Sequence, residues 1–399
     1  RPSLGFTGNM DTYKPAEGSA TRSDIAITDP DFKYPSLWKS NIAADYKFGD
    51  GWVATVELLY SKDINAIYHD NIGLYRTEQF VNDGGAGNAR PYYNGYYSDR
   101  EGNQKAANHV VMLRNTSKGH SLYTTFQLQK NFVDGILKGL YLNGSYSFGQ
   151  SRGVTDGTSS VAPSAWKYRA ALDGNAEEVG YTAGSFDGRL LLSASYTANW
   201  SKYAATSFGL IYQRYRPFRY SYCYNGDANG DSQFSNDLMY IPANFDEVKD
   251  HLLPGDFDSQ EDAWKAMNAF IEQDPYLSKH RGEYAERNGA VAPFANQLDL
   301  SVSHDIKIYQ KNGRSHTLRF SFNIANFLNL LNRNWGVVQT TVLGNQQYQF
   351  LTIPKGQGPS AANNYTLKYT MAKDLDETFK DNLNDVSRWQ MQFGIKYIF

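Results

Sequence analysis

The sequence predicts an all-β protein in which antiparallel strands form a transmembrane β-barrel with long extracellular loops. Apolar and polar residues alternate with period two over segments of about ten residues. Short and long connections also alternate along the chain, and aromatic residues account for 15% of the composition. Because a soluble β-sandwich has no physical reason to collect its long loops at one end, these observations together favour a membrane barrel.

Composition narrows the classes of protein further. The 399 residues carry a formal net charge of −2, which gives no general attraction to nucleic acid or to an anionic surface. No apolar run approaches the ~18 residues that a membrane-spanning helix requires, so a helical membrane protein is excluded. Cys223 is the single cysteine, which excludes an internal disulfide framework. The near-neutral net charge predicts that nucleic acid is not among the partners.

The alternation of side chains is clearest in the C-terminal segment RWQMQFGIKYIF. Apolar residues occupy every second position from Trp389 to Phe399, whereas Gln390, Gln392 and Lys396 lie between them. We expect the apolar side chains of such strands to face lipid and the polar ones to face the lumen. The same pattern predicts nine membrane strands, near 36–48, 52–60, 121–132, 139–149, 188–200, 204–216, 296–307, 315–328 and 388–399. The polar side chains expected in the lumen include Arg319, Asn323, Gln127, Gln129 and Asn143.

The connections predict which end of the barrel each loop occupies. Tight periplasmic turns and long extracellular loops are the arrangement of bacterial outer-membrane barrels. Short turns rich in Gly, Asp, Asn or Lys are predicted at 48–51, 133–138, 201–203 and 308–314. Long polar segments, predicted to be extracellular, occupy 61–120, 151–186, 218–294 and 331–387.

One long loop contains a predicted short helix, in SQEDAWKAMNAFIEQDPY. Ser259 is a suitable N-cap, and Pro275 ends the helix. Trp264, Met267 and Ile271 form one apolar face. We expect this face to pack against neighbouring loops, with a ligand or partner surface as the alternative.

The odd number of strands predicts that the chain is part of a larger barrel, because single-chain bacterial barrels have even strand numbers. Residues 1–399 are therefore expected to form the C-terminal part of a barrel whose earlier strands lie upstream. Residues 1–35 are then expected to belong to an extracellular loop.

The stretch NGDANGDSQFSND is the strongest candidate for a ligand site. Asp227, Asn229 and Asp231 occupy alternate positions, as do the first oxygen ligands of a calcium-binding loop. Ser232 then stands where such a loop has glycine, and Leu238 where it has a bidentate Glu. The sequence favours the ordinary alternative, an Asx-rich turn. If a metal binds, we predict calcium, with the ligands Asp227, Asn229, Asp231 and Asp237.

The remaining motifs indicate no catalytic chemistry. GQSRG at 149–153 matches the G-x-S-x-G pattern of serine hydrolases, but no helix follows it, so we interpret Ser151 as a coincidental match. No H-E-x-x-H or paired-cysteine motif supports zinc. The cluster RYRPFRYSYCYNG at 214–226 is predicted to form an interfacial aromatic girdle, with stacking on sugars or peptides as the alternative. We expect that the chain is not an enzyme.

Several longer segments resemble one family. FDGRLLLSASYTANWSKYAATSFGLIYQ, YSYCYNGDANGDSQFSNDLMYIP and FSFNIANFLNLLNRNWG are similar to the C-terminal barrel of TonB-dependent receptors from Bacteroidota, in the Oar-like group with a carboxypeptidase-regulatory-like domain. The resemblance covers nearly the whole chain. It implies an outer-membrane barrel of about 22 strands. It also implies an N-terminal plug, expected to lie upstream of these residues, and energy coupling through that part to the TonB–ExbB–ExbD complex.

The resemblance further implies TonB-dependent active transport of a bulky nutrient, such as a glycan or a peptide, across the cell outer membrane. The alternative is a component of a protein-translocation or surface-assembly complex whose long loops dock protein partners. A surface lipoprotein is a further candidate partner, beside the lipid bilayer itself. The aromatic last strand also resembles the signal that outer-membrane assembly machinery reads, with Phe393, Tyr397 and Phe399 as its residues.

Overall fold

The computed structural model describes residues 24–81, 90–96, 109–157, 159–309, 315–343, 347–359, 365–371 and 377–399. These residues are predominantly β-strand with few helices, and the long strands belong to one large, mainly antiparallel sheet. No helix in the described ranges is both long enough and apolar enough to cross a membrane. The predicted all-β composition is confirmed.

Nine long strands follow one another in this sheet in chain order, and each is antiparallel to the next. All nine predicted strands are present, and their ends mostly lie within a few residues of the predicted ones. The exception is the second strand, which continues to Asn71 instead of ending near residue 60. The strands are β1 (Ser36–Phe48), β2 (Trp52–Asn71), β3 (Gly119–Asn131), β4 (Leu140–Gly153), β5 (Arg189–Ser201), β6 (Ala204–Tyr215), β7 (Ala295–Tyr309), β8 (Ser315–Ala325) and β9 (Gln390–Ile398).

The strand register places the apolar positions of neighbouring strands on the same face of the sheet. Phe322 of β8 pairs with Val302 of β7 and with Phe393 of β9. Further along the sheet, Val56 of β2 pairs with Phe126 of β3. Since side chains alternate with period two, a shift of one residue at any of these pairs would move a whole strand's apolar set to the other face. The sheet therefore has one apolar face and one polar face.

Short turns lie at one end of the sheet. The β1–β2 turn contains Gly49 and Gly51, with φ of 53° and 84°, values that glycine adopts without steric cost. The β3–β4 and β5–β6 connections are also short, and the predicted turn at 308–314 lies largely outside the described residues. Within the described residues, β1 and β9 lie at opposite edges of the nine-strand series.

The long connections all lie at the other end and contain short elements. Their described residues form the helices α1 (Ala162–Lys167), α2 (Gln260–Gln273) and α3 (Phe327–Leu331). The sequence predicted only α2, because α1 and α3 are too short to show an apolar periodicity. Single 3₁₀ turns occur at Phe245–Glu247, Leu277–Lys279 and Asp385–Ser387. Short strands occur at Ile25–Thr28, Leu74–Val81, Arg90–Tyr96, Val110–Thr116, Gly180–Tyr181, Arg219–Tyr222, Tyr240–Ile241, Leu252–Leu253, Glu283–Tyr284, Ala290–Val291, Gln339–Thr341, Gln347–Tyr348, Leu351–Thr352, Leu367–Tyr369 and Phe379–Asp381.

Part of the N-terminal segment joins these long connections. Ile25–Thr28 pairs in parallel with Val110–Thr116, which in turn pairs with the end of β2. The predicted extracellular position of residues 1–35 lies largely outside the described residues, which begin at 24.

The predicted helix is confirmed in α2. The Ser259 hydroxyl accepts a hydrogen bond from the backbone N–H of Asp262 at 3.1 Å, so it caps the helix. Met267, Phe270 and Ile271 are buried among residues of the neighbouring loops. The apolar face of the helix therefore packs on the loops, as the sequence predicts.

The largest hydrophobic core lies in the long connections and not in the sheet. We call the described residues of 72–118, 154–188, 216–294 and 326–389 the loop assembly. Tyr220, Tyr222 and Tyr224 are buried at its centre, and the Tyr222 ring lies 5.4 Å from that of Tyr348. The prediction that these tyrosines belong to an interfacial girdle is wrong, because strand Arg219–Tyr222 pairs with two other loop strands and buries its rings.

Candidate functional site

Backbone hydrogen bonds and side chains join the four long connections into one folded unit. Tyr93 N–H donates to Asn229 O at 2.7 Å, linking the first connection to the third. Arg287 Nη1 donates to Val154 O, linking the third to the second. Cys223 N–H donates to Tyr348 O at 3.0 Å, linking the third to the fourth. Side chains distant in sequence therefore meet at fixed positions in the loop assembly.

The predicted metal residues are brought together in this unit. Carboxylate oxygens of Asp227, Asp231 and Asp237 lie within 4.8 Å of one another. Asp231 and Asp237 are buried, and so is Asn229, whose Oδ1 accepts from Asp231 N–H at 2.9 Å. This acidic cluster, Asp227, Asn229, Asp231 and Asp237, could hold a metal ion.

The backbone of the acidic cluster also forms the Asx-rich turn that the sequence favoured. Asp227 Oδ1 accepts from Gly230 N–H at 2.6 Å, and its Oδ2 accepts from Ser232 N–H at 2.8 Å. Ser232 has a φ of 67°, the left-handed conformation that a glycine would adopt at this position. Ser232 therefore keeps the backbone geometry of a calcium-binding loop at this position, although it is not a glycine. Turn and carboxylate cluster coexist in the same residues.

A close backbone contact fixes the acidic cluster against the first long connection. Gly230 has a φ of 83°, and a Cβ at this position would overlap the carbonyl oxygen of Tyr93. Only glycine permits both the conformation and the approach. Strand Arg90–Tyr96 thereby lies directly beside the turn.

Arg90 contacts the acidic cluster, although no feature of the sequence indicated it. Its Nη1 donates to Asp237 Oδ1 at 3.1 Å, and its Nη2 donates to Leu238 O. Its guanidinium also lies 5.4 Å from the ring centroid of Tyr284. Arg90 and Asp237 are separated by 147 residues, so no local pattern could have linked them.

Burial disfavours the charged form of the carboxyl groups in the acidic cluster, so they are neutralised either by protons or by a cation. Desolvation raises the pKa of Asp231 well above its usual range, and the carboxylates of Asp237 and Asp227 raise it further. Burial also raises the pKa of Asp227, although backbone N–H groups at Ser232 and Gly230 oppose this. Because Arg90 neutralises Asp237, two carboxylates remain for a divalent ion.

The donor set decides which class of ion fits the acidic cluster. All candidate ligand atoms are oxygens of carboxylate or amide groups, with no thiolate or imidazole in the cluster. Hard divalent cations such as Ca²⁺ and Mg²⁺ prefer such ligands. The residues present therefore fit a hard cation.

The apolar face of the sheet is exposed across all nine strands. Ile42 on β1 is 70% exposed and Phe393 on β9 is 65% exposed, and apolar side chains of the strands between them lie on the same face. Soluble proteins rarely expose apolar patches larger than a few hundred Å². This face requires an apolar environment or partner.

Side-chain hydrogen bonds between neighbouring strands connect the polar face. Arg319 on β8 forms a bidentate ion pair with Asp305 on β7, at 2.6 and 2.8 Å. The five polar residues predicted to line the lumen all lie on this face. Their other contacts are Gln127 Nε2 to Asn143 Oδ1 at 3.1 Å, Tyr141 OH to Gln129 Oε1 at 3.0 Å, and Ser301 Oγ to Asn323 Oδ1 at 2.7 Å.

The candidate assembly residues lie on the outermost strand. Phe393, Tyr397 and Phe399 share the apolar face, and Phe399 is 91% exposed. Tyr397 stacks on His316 of β8, with 5.6 Å between ring centroids. The terminal aromatic ring therefore projects beyond the last paired residue, Ile398.

Ser151 does not occupy a nucleophile turn. It lies within β4, paired with Ser121 of β3, and its carbonyl accepts from Thr182 N–H at 3.0 Å. A serine-hydrolase elbow needs a sharp turn between a strand and a helix. The local structure supports the interpretation of this motif as coincidental.

Comparisons with known proteins add no family. No family model matches the chain, and neither a curated protein nor a solved structure matches it.

Proposed function

We propose that the chain is the C-terminal part of an outer-membrane β-barrel that imports a bulky nutrient by TonB-dependent active transport. One observation carries this proposal: a continuous apolar face nine strands wide, backed by a polar face, with a folded loop assembly at one end. In this proposal the apolar face contacts lipid, the polar face contacts the lumen, and the loop assembly captures the nutrient outside the cell.

The dimensions of the apolar face support a membrane location. From Trp389 to Phe399 the face is about as long as the 9–11 residues that a tilted membrane strand needs. Aromatic side chains collect at the short-turn end, where Phe48 stacks on Trp52 at 6.3 Å. Trp200 is exposed at the same end. Such rings suit the boundary between headgroups and hydrocarbon.

The sheet edges support the inference that more strands complete the barrel. An unpaired strand edge in hydrocarbon would leave backbone N–H and C=O groups without partners, at several kcal/mol each. β1 and β9 lie at such edges within the described residues. We expect upstream strands of the complete protein to pair with both.

Calcium in the acidic cluster would stabilise the capture surface. Asp227, Asn229, Asp231 and Asp237 would supply the oxygen ligands, and the ion would neutralise the buried carboxylates. Its contribution is structural, since it would hold the 227–237 turn against strand Arg90–Tyr96.

Paired cysteine substitutions test the membrane location. In a Cys223→Ala background, Phe126→Cys and Phe393→Cys should react with lipid-soluble maleimides and be protected from water-soluble ones. Their neighbours Gln127→Cys and Gln392→Cys provide matched controls on the opposite face. Equal labelling of both members of each pair would contradict the proposed lipid-facing surface.

Uptake tests the transport step and separates it from the alternative of a protein-docking or translocation component. Cells that carry the complete protein should accumulate labelled oligosaccharides or peptides, and a proton uncoupler should abolish the uptake. If protein partners co-purify with the loops and neither oligosaccharides nor peptides are taken up, the result would favour a protein-docking or translocation component.

A further inference from the structure

A cavity of about 350 Å³ lies where the second, third and fourth long connections meet. Its walls are polar and apolar in about equal parts and come from segments far apart in the sequence. The residues that matter here are Thr155, Asp156, Arg169, Ser221, Arg287 and Gln347. The cavity is separate from the acidic cluster, since none of the four cluster residues lines it.

Two buried arginines in the wall of this cavity share one acceptor. Arg169 Nη1 donates to Val154 O at 3.1 Å, and Arg287 Nη1 donates to the same oxygen at 2.5 Å. The two side chains belong to residues that are only 6% and 2% exposed. Two positive charges are thus held close together away from water.

Neither guanidinium has a carboxylate in contact within the described part of the chain. The other acceptors of Arg169 are the carbonyls of Gly174 and Ala176, and those of Arg287 are the carbonyls of Gly153 and Gly180. The Nε of each arginine has no hydrogen-bond partner among the residues that the structure describes. Buried charges in proteins are normally paired, because the desolvation of an unpaired ion costs several kcal/mol.

The carboxylates near the two arginines determine which charge a ligand of the cavity should have. Asp156 is the one carboxylate among the described residues that line the cavity, and its oxygens already accept from Ala183 N–H and Asn288 Nδ2, each at 2.9 Å. Glu178 attracts both arginines from a greater distance. Because neither Asp156 nor Glu178 contacts a guanidinium, both arginines are suited to pair with the carboxylate of a ligand.

We propose that this cavity binds the carboxylate of an acidic ligand through Arg169 and Arg287. Guanidinium groups recognise carboxylates by charge-assisted hydrogen bonds. The hydroxyls of Thr155 and Ser221 and the amide of Gln347 would contact the polar remainder of the ligand. This inference rests on the proposed function, because it defines the imported nutrient as acidic: an acidic sugar or a peptide carboxylate.

Calorimetric titration of the purified complete protein in detergent tests the site. The probes are galacturonate and N-acetylalanine, and their neutral counterparts are galactose and N-acetylalanine amide. We expect one acid to bind at least about tenfold more tightly than its neutral counterpart, a difference of about 1.4 kcal/mol. Equal affinity for acid and neutral compound, or binding of neither acid at millimolar concentration, would overturn the inference.

Single substitutions test whether the acid binds in this cavity. Arg287→Gln should lower the affinity for the acid at least tenfold, whereas Arg281→Gln, in the loop assembly outside the cavity, should leave it unchanged. Since Arg287→Gln removes several structural hydrogen bonds, Ser159→Trp provides a second variant that fills the cavity and keeps both guanidinium groups. An unchanged affinity in Ser159→Trp would contradict this location.

Measurements of acid binding and of energised uptake distinguish the acidic-ligand inference from the transport proposal. Energised uptake without binding of either acid would overturn the acidic-ligand inference and leave transport standing. Binding of an acid without energised uptake would leave the cavity assignment standing and overturn transport.

Discussion

Arg90 and Asp237 form a buried ion pair, with 3.1 Å between Nη1 and Oδ1. The pair joins strand Arg90–Tyr96 to the end of the acidic cluster. Arg90 also donates to the carbonyl of Leu238, so one side chain fixes both the charge and the backbone there. Arg90 therefore adds a buried side-chain link between the first and third long connections to the backbone hydrogen bond from Tyr93 to Asn229.

We expect Arg90→Met to destabilise the loop assembly by about 3–5 kcal/mol, because it leaves the Asp237 carboxylate buried without its partner. Limited proteolysis of the purified chain across a temperature series measures this. Arg76→Met is the matched control, since Arg76 pairs with Asp173 at the same 3.1 Å but its side chain is 53% exposed. That change should cost no more than about 1 kcal/mol. Equal losses in the two variants would count against a special role of Arg90.

Removal of calcium should destabilise the wild-type loop assembly but not the Asp231→Asn variant. A ligand present at 100 times its dissociation constant stabilises the folded state by about 2.7 kcal/mol. Thermal unfolding of the purified chain with calcium or with EDTA measures the difference. Asp246→Asn, at an exposed carboxylate outside the acidic cluster, should keep the full calcium response. If Asp231→Asn also keeps it, the cluster is not the calcium site.

Acidification should weaken the loop assembly through His109. The pKa of His109 is lowered to about 4, mainly by burial and also by the nearby charge of Lys167, whereas Asp24 opposes this. An unfolded histidine has a pKa of about 6.5. Between these values the unfolded state binds more protons, so stability is complete above pH 6.5 and is lost as the pH falls toward 4.

The size of this pH effect follows from the linkage relation, in which each pKa unit corresponds to about 1.4 kcal/mol. Thermal unfolding of wild type and His109→Gln at pH 7 and at pH 4.5 isolates the contribution of His109. We expect the variant to lose about 2 kcal/mol less than the wild type over this interval. The same loss in both proteins would show that other groups cause the acid sensitivity.

The sequence was sufficient to locate the strands because each strand's alternation is a local property. Val302, Phe322 and Phe393 each stand out within their own segment, and antiparallel pairing then aligns them. The loop assembly depends instead on contacts between distant segments, such as Tyr222 with Tyr348. A run of tyrosines at the end of a strand looks the same in sequence whether it is buried in loops or exposed at an interface.

In the candidate sites, too, residues close in sequence could be predicted, whereas residues that only the fold brings together could not. The carboxylates of Asp227, Asp231 and Asp237 lie close in sequence, so their spacing was enough to single them out. Arg90, by contrast, comes from a different connection, and so no spacing reveals it. The cavity between Arg169 and Arg287 was also missed, since two arginines separated by more than a hundred residues carry no motif.

A charge on the apolar face should be far more costly than the same charge on the polar face. Phe393→Arg places a guanidinium in hydrocarbon, at about 2–4 kcal/mol near the bilayer midplane. Gln392→Arg, one residue away, places it on the polar face, where the cost should be near zero. Urea unfolding of the complete protein folded into lipid vesicles compares the two. Similar stabilities would mean that β9 does not present Phe393 to lipid.

The terminal aromatic ring should matter for assembly more than for stability. Phe399 lies beyond the last paired residue and is almost fully exposed, so its removal deletes few contacts within the chain. If assembly machinery reads this ring, deletion of Phe399 in the complete protein should lower its outer-membrane level several-fold. Phe399→Tyr keeps the aromatic ring and should restore the level. Membrane fractionation and immunoblotting measure both variants, and an unchanged level after the deletion would remove Phe399 from the assembly signal.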